Sequence, residues 1–328
     1  NGVDFMNNIG IGRNAVGGTG GTSGVGLVGT IGIGHNALSS LTNGAGNHVI
    51  GYEAMKTATT EHSNTVFGSE AAKLMRHDSS DQNVIIGFQS CVAGTGARTQ
   101  NVVIGYRAWG NGGSQNNLGG SENVFIGSES GGGTWATGAS DGNTAVGWNT
   151  MKGAMNGAGL NTAVGKNALL ALTTADNNTA VGADALKAVT TGTHNVVVGA
   201  RCGDALTDGD YNVFVGEFAG STTTSVSNAV FIGQSAGAGG DITSAANGAV
   251  GIGLSALGAL TSGVGNTAVG YQSLEDITTG AYNTVIGYQA MQNAQTAVSL
   301  STAVGYRAGY KLGDDGASDH SDTNIMIG

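Results

Sequence analysis

The chain has 328 residues with 61 Gly and no Pro, is 10% charged and 5% aromatic, and has a formal net charge of −10. So much Gly without a third-residue period or any Pro excludes collagen, and frequent Val, Ile and Thr with so little charge is the reverse of a disordered composition. The acidic balance opposes nucleic-acid binding, which needs clustered Lys and Arg against phosphate, and no apolar run reaches the roughly 20 residues that span a bilayer.

Read from its start, the chain repeats itself. It opens at Asn1 without Met, as a processed or truncated piece would, and no signal peptide is visible. A Gly following an apolar pair recurs at Gly12, Gly34, Gly51, Gly68, Gly87, Gly105, Gly127, Gly147, Gly165, Gly182, Gly199, Gly216, Gly233, Gly253, Gly270, Gly287, Gly305 and Gly328. Eight of the seventeen intervals are 17 residues and the others are 18 to 23, so 17 is the basic period and the longer intervals hold insertions. Four residues before the Gly stands Asn in most copies: Asn8, Asn47, Asn64, Asn83, Asn101, Asn123, Asn143, Asn161, Asn178, Asn195, Asn212, Asn266, Asn283 and Asn324. Three residues after it stands a small residue, such as Ala37, Ser90, Ala168, Cys202 or Ala290.

Each copy therefore predicts a short strand, a Gly corner, a second short strand and a polar return loop such as LTTADN or ITTGAY. The apolar spacing is 2 rather than 3.6, and Gly, Thr and Asn are poor helix interiors. One such unit buries little alone; stacked units bury a continuous core, which predicts an all-β chain, a parallel β-solenoid of about 18 coils forming a single continuous domain over residues 1–328. At about 4.8 Å per coil the rod would be roughly 85 Å long. Corner glycines supply positive φ or close backbone approach. Stacked Asn47, Asn64, Asn83, Asn101, Asn123, Asn143, Asn161, Asn178, Asn195, Asn212, Asn266 and Asn283 would form an amide ladder along the stack. Cys91 and Cys202 fall six coils apart, roughly 29 Å, so no bridge is expected between them.

Strand side chains alternate between two faces. The first and third residues after the Asn, such as Val102 and Ile104, are assigned to the coil interior. The residue between them should then face outward, yet it is apolar: Val103, Phe125, Val197, Phe214, Phe231 and Val285 are examples. Strands apolar on both faces are normally covered on both, so these six residues are expected to form an inter-chain face in a closed homo-oligomer, the alternative being a lone solenoid that tolerates an apolar stripe.

The segments NTAVG, NTVIG and NVVIG resemble the N-S-x-A-I-G repeats of trimeric autotransporter adhesin heads, and NTAVGYQSL and NTVIGYQAM look like repeats of phage tail-fibre shafts, often found upstream of a self-cleaving chaperone domain. The resemblance spans the chain. It implies a left-handed β-roll packed as a homotrimer, built as scaffolding rather than around a specified ligand. The coil here is longer than the adhesin repeat, and neither coiled-coil heptads, a membrane-anchoring barrel nor the chaperone accompanies it.

Motifs with chemical meaning are few. The GxSxG at Gly233–Gly237 lacks the strand–turn–helix context of a hydrolase elbow and reads as a repeat corner. The GxGxxG at Gly24, Gly26 and Gly29 has no strand–helix unit around it. Asp314, Asp315, Asp319 and Asp322, with His320 among them, are dense enough in hard oxygen donors to suit Ca²⁺, but their spacing matches no known calcium loop and a solvated acidic loop is the plainer reading. Asp204, Asp208 and Asp210 form a weaker cluster, and the histidines have no ligand spacing. No cofactor is therefore expected. Tyr52, Phe88, Tyr106, Trp148, Tyr271, Tyr288 and Tyr306 follow the corner and would either stack along the rod or present rings to sugars. The longer intervals place Gly-rich insertions at residues 17–30, 109–122, 131–142 and 311–322, where repeat proteins often hold binding loops.

The function expected is structural: the trimeric shaft of a phage tail fibre in the virion, supporting attachment to a host receptor. Its partners would be sister chains, other virion or cell-surface proteins, and host glycan. The alternative is an adhesin head on a bacterial surface, extracellular and binding matrix or glycan directly. A polysaccharide-degrading tailspike is a third class, but its paired carboxylates do not recur here, so no enzymatic activity is expected.

Overall fold

The computed structural model describes residues 7–17, 27–76, 79–94, 96–110, 119–133, 138–294, 297–312 and 323–328. The protein is an all-β parallel solenoid, with no α-helix among the described residues. The chain divides into two compact units, residues 1–167 with 171–174, and residues 168–170 with 175–328. The first contains nine three-residue ladder strands, from Ile9–Ile11 to Thr162–Val164; the second contains nine, from Thr179–Val181 to Ile325–Ile327. Neighbouring strands within each unit pair in parallel and in strict register, as Val196, Val197 and Val198 do with Val213, Phe214 and Val215. Insertions leave that register intact: the 20-residue interval before Gly253 absorbs its extra length in a 3₁₀ turn at Ser244–Ala246.

One predicted element is absent from the described residues. The segment after the corner Gly is a turn rather than a second strand, apart from the pair Leu74–Met75 and Ala93–Gly94. The reason is conformational. The second and fourth residues after the Gly are left-handed, as at Gln272 (φ 52°) and Leu274 (φ 49°), and a third left-handed residue precedes the Asn, as at Tyr282 (φ 59°). Each non-Gly residue held there costs about 1 kcal/mol or more. Each also turns its N–H along the stack, where it meets a carbonyl of an adjacent coil: Gln272 N donates to Leu254 O at 2.8 Å, Leu274 N to Ala290 O at 3.1 Å and Tyr282 N to Val264 O at 2.9 Å. These interlayer bonds offset the strain, and they make the turns as well ordered a part of the ladder as the strands.

The corner itself admits only Gly. Gly199 has φ 146°, and a Cβ built on it would lie 2.4 Å from the carbonyl oxygen of Gly216 in the next coil. Backbone, not a movable side chain, occupies that space.

The core reverses the face assignment made from sequence. Val103, Phe125, Val197, Phe214, Phe231 and Val285 are fully buried inside their own coils and form no outer face. Val196 and Val198, on either side of Val197, are 42% and 38% exposed. The interior is narrow, and the central strand residue shares it with the fourth residue after the corner. Bulk is therefore apportioned between the two. Coils with Phe125, Phe214 and Phe231 have Gly131, Gly220 and Gly237 at the facing position; coils with Ala145, Ala180 and Ala268 have Met151, Leu186 and Leu274. Phe214 and Phe231 stack at 5.1 Å.

Candidate functional site

The expected amide ladder is present in both units. In the first it runs through Asn47, Asn64, Asn83, Asn101, Asn123, Asn143 and Asn161; in the second it links Asn178, Asn195 and Asn212, and then Asn266 and Asn283. All are buried. Asn195 shows the logic. Its backbone N–H and Nδ2 both donate to Asn178 Oδ1 at 3.0 Å, its Nδ2 also donates to Gly209 O at 2.8 Å, and its Oδ1 accepts from Asn212 N and Nδ2. Every polar atom of the side chain is used between layers, so this row is structural. Where Asn is replaced the ladder ends or changes chemistry: Asn212 Oδ1 accepts from the backbone N–H of Ala229, and Asn283 Oδ1 from that of Ser301.

The face available to partners is the outward face of the strands. In the second unit the third strand position is Val181, Val198, Val215, Ile232, Ile252, Val269, Ile286, Val304 and Ile327, in register from strand to strand. In the first unit it is Ile11, Ile33, Ile50, Phe67, Ile86, Ile104, Ile126, Val146 and Val164. None of these eighteen residues is fully buried. The first strand position beside them is Thr, Val or Ile in all but one copy, His48. Each unit thus presents an unbroken apolar stripe along the third strand position, aliphatic in every copy but Phe67.

The aromatic residues after the corner stack on their own neighbours. Tyr271, Tyr288 and Tyr306 form a row with ring centroids 5.0 and 5.6 Å apart and planes within 13° of parallel. His35 stacks on Tyr52, Phe88 on Tyr106, and Lys166 Nζ lies 5.0 Å from the centre of the Trp148 ring. Rings stacked face to face along the row turn their edges outward, a poor surface for stacking against a sugar ring.

Charged groups on the flank pair with one another. Lys56 and Lys73 reach Glu53 at 2.8 and 2.7 Å, and Lys73 also meets Glu70 at 3.3 Å. The Lys56 and Lys73 ammonium groups hold the Glu53 carboxyl down at about 2. The amide of Gln89 and the Lys73 ammonium lower Glu70, while the carboxylates of Glu53 and then Glu70 raise Lys73. Both cysteines are buried and unbridged; burial pushes the Cys202 thiol up to about 12 and raises Cys91, the opposite of an activated nucleophile.

Ser235 of the GxSxG sits in a left-handed turn (φ 55°), and Gly237 follows it because Phe231 fills the space beneath. Asp314, Asp315, Asp319, Asp322 and His320 lie outside the described residues, as do Gly24 and Gly26 and the centres of the four long insertions. Of the weaker acidic cluster, Asp204 pairs with Arg201 and Asp210 accepts from Thr193 N and Oγ1, so both serve the loops; among the described residues no group of three His, Cys, Asp or Glu is placed to hold a metal. No helix among them is long and apolar enough to cross a membrane. No protein-family model and no curated protein matches the chain.

Proposed function

We propose that this chain is the shaft of a homotrimeric fibre, a scaffold that positions a host-attachment part at a distance, with a phage tail fibre in the virion as its setting. The observation that supports the reading is the outward apolar stripe. A monomer rarely leaves so continuous an apolar surface in water, and β-branched residues in register form a flat face that an identical face can meet. The number three comes from the resemblance of the NTAVG and NTVIG segments to trimeric repeats. The buried Asn row spends its side-chain polar atoms on bonds between layers, as a scaffold requires.

Sedimentation equilibrium tests the assembly. The expected mass is three times that of the chain, and placing charge in the stripe with Val198→Lys and Ile232→Lys is expected to yield monomers that keep their β-rich circular dichroism. A wild-type protein that sediments as a monomer at micromolar concentration overturns the trimer. The virion setting is tested separately by immunogold labelling of intact particles; label confined to bacterial envelopes would place the protein there instead.

A further inference from the structure

A groove of about 420 Å³ crosses four coils in the second unit. Its origin can be read from the residues. The second position after the corner is Phe218, Ser235, Ser255 and Gln272 in successive coils, so two short side chains lie between two long ones. On the other side of the turn, Ala238, Gly239, Gly258 and Ala259 keep the floor low. Phe218 stands at one end, with the Arg201 guanidinium 5.0 Å from its ring centre. Glu275 and Asp276 stand at the other. The ends are three coil steps apart, roughly 14 Å.

Each end is chemically prepared. Both carboxylate oxygens of Glu275 accept from amides, Oε1 from Gln272 Nε2 at 3.1 Å and Oε2 from Gln292 Nε2 at 2.6 Å, which fixes the group's orientation and leaves further lone pairs for a donor. Asp276 is exposed beside it. No Lys, Arg or His lines the groove, and the two charged residues that do, Glu275 and Asp276, are both acidic. Ser221, Ser235 and Ser255 add hydroxyls that donate or accept.

We infer that this groove binds a short uncharged oligosaccharide: a sugar ring packs its C–H face on Phe218, and hydroxyls further along donate to Glu275 and Asp276. The size falls within the usual range for small-ligand sites, and the lining is more polar than most of them, with one aromatic wall, three hydroxyls and two carboxylates. A sugar is apolar on its ring face and a hydroxyl donor at its rim, which matches the two ends in order. The site lies within one unit and does not rest on the fibre reading.

Titration calorimetry with maltotriose, cellotriose and chitotriose as probes tests it, with a sialylated trisaccharide and spermidine as charged comparators. At least one neutral probe is expected to bind. Ser255→Gln fills the groove with the side chain that Gln272 already places at the equivalent position one coil on, so the coil should tolerate it; binding should fall about tenfold or more. Glu275→Gln removes the acceptor charge and should weaken binding about fivefold to tenfold. The inference fails if no neutral probe binds, if neither variant changes the affinity, or if spermidine or the sialylated sugar binds as well as the best neutral probe. Sedimentation of the same samples keeps the two readings apart: a trimer that ignores every sugar, or a monomer that binds one, refutes one without the other.

Discussion

The ring of Phe231 occupies the space a side chain at Gly237 would need: a Cβ there would sit 2.8 Å from the ring. Conformation is not the obstacle, because Leu257 and Leu274 hold similar left-handed φ values at equivalent positions. Gly237→Leu alone should overpack the coil and destabilise it by about 1–3 kcal/mol, and Phe231→Ala alone should leave a void costing about 3–5 kcal/mol. Together they reproduce the Ala268 and Leu274 pairing, so the double variant should lose at least about 2 kcal/mol less than the sum. Urea unfolding of the four proteins measures this; simple additivity would show that the two positions do not share one space.

Asn195 offers a second test, because its buried amide both donates and accepts between layers. Asn195→Ala should cost about 2–4 kcal/mol by stranding Gly209 O and Asn212 N–H, and the consecutive Ala residues at 229 and 249 are gaps that the stack already accommodates. Asn195→Asp should be worse at neutral pH, since a carboxylate there faces Asn178 Oδ1 and Gly209 O with no donor to offer. Burial among acceptors raises the folded-state pKa of that Asp, so the penalty should shrink as pH falls and the group protonates. Thermal melts of the two variants at pH 7 and pH 4 should therefore converge; a gap that stays constant would contradict the ladder.

Glu53 should make stability acid-sensitive. Its carboxyl is held at about 2 in the folded chain against 4.5 ordinarily, so the unfolded state takes up the proton first. Its contribution, on the order of 2 kcal/mol, is present above pH 4.5 and is lost as pH falls from there toward 2. Glu53→Gln should flatten that part of the stability profile and lower stability at pH 7. Denaturant midpoints between pH 2 and 7 check this, and identical profiles for the two proteins would remove Glu53 from the account.

The period, the corner glycines and the Asn ladder were legible in the sequence because each answers a demand made once per layer. The facing of the strand was not. Alternation distinguishes inside from outside when one set is polar, and here Val196, Val197 and Val198 are equally apolar. Size held the missing signal: Phe231 with Gly237, against Ala268 with Leu274, is intelligible only if those positions share an interior. The turn after the corner reads as a strand in sequence because Leu274 and Met291 give no local sign of left-handed backbone, which is imposed by bonds to adjacent coils. The groove beside Ser235 and Ser255 was hidden for a related reason, since it consists of side chains that are short only relative to their neighbours in the stack.

The strict register of Val196, Val213 and Val230 makes each 17-residue segment an interchangeable cassette. Excising one would bring together two backbone edges already in register, shortening its unit by a single quantum of about 4.8 Å. Reach could thus be adjusted by copy number, with the backbone bonds at the seam unchanged in kind.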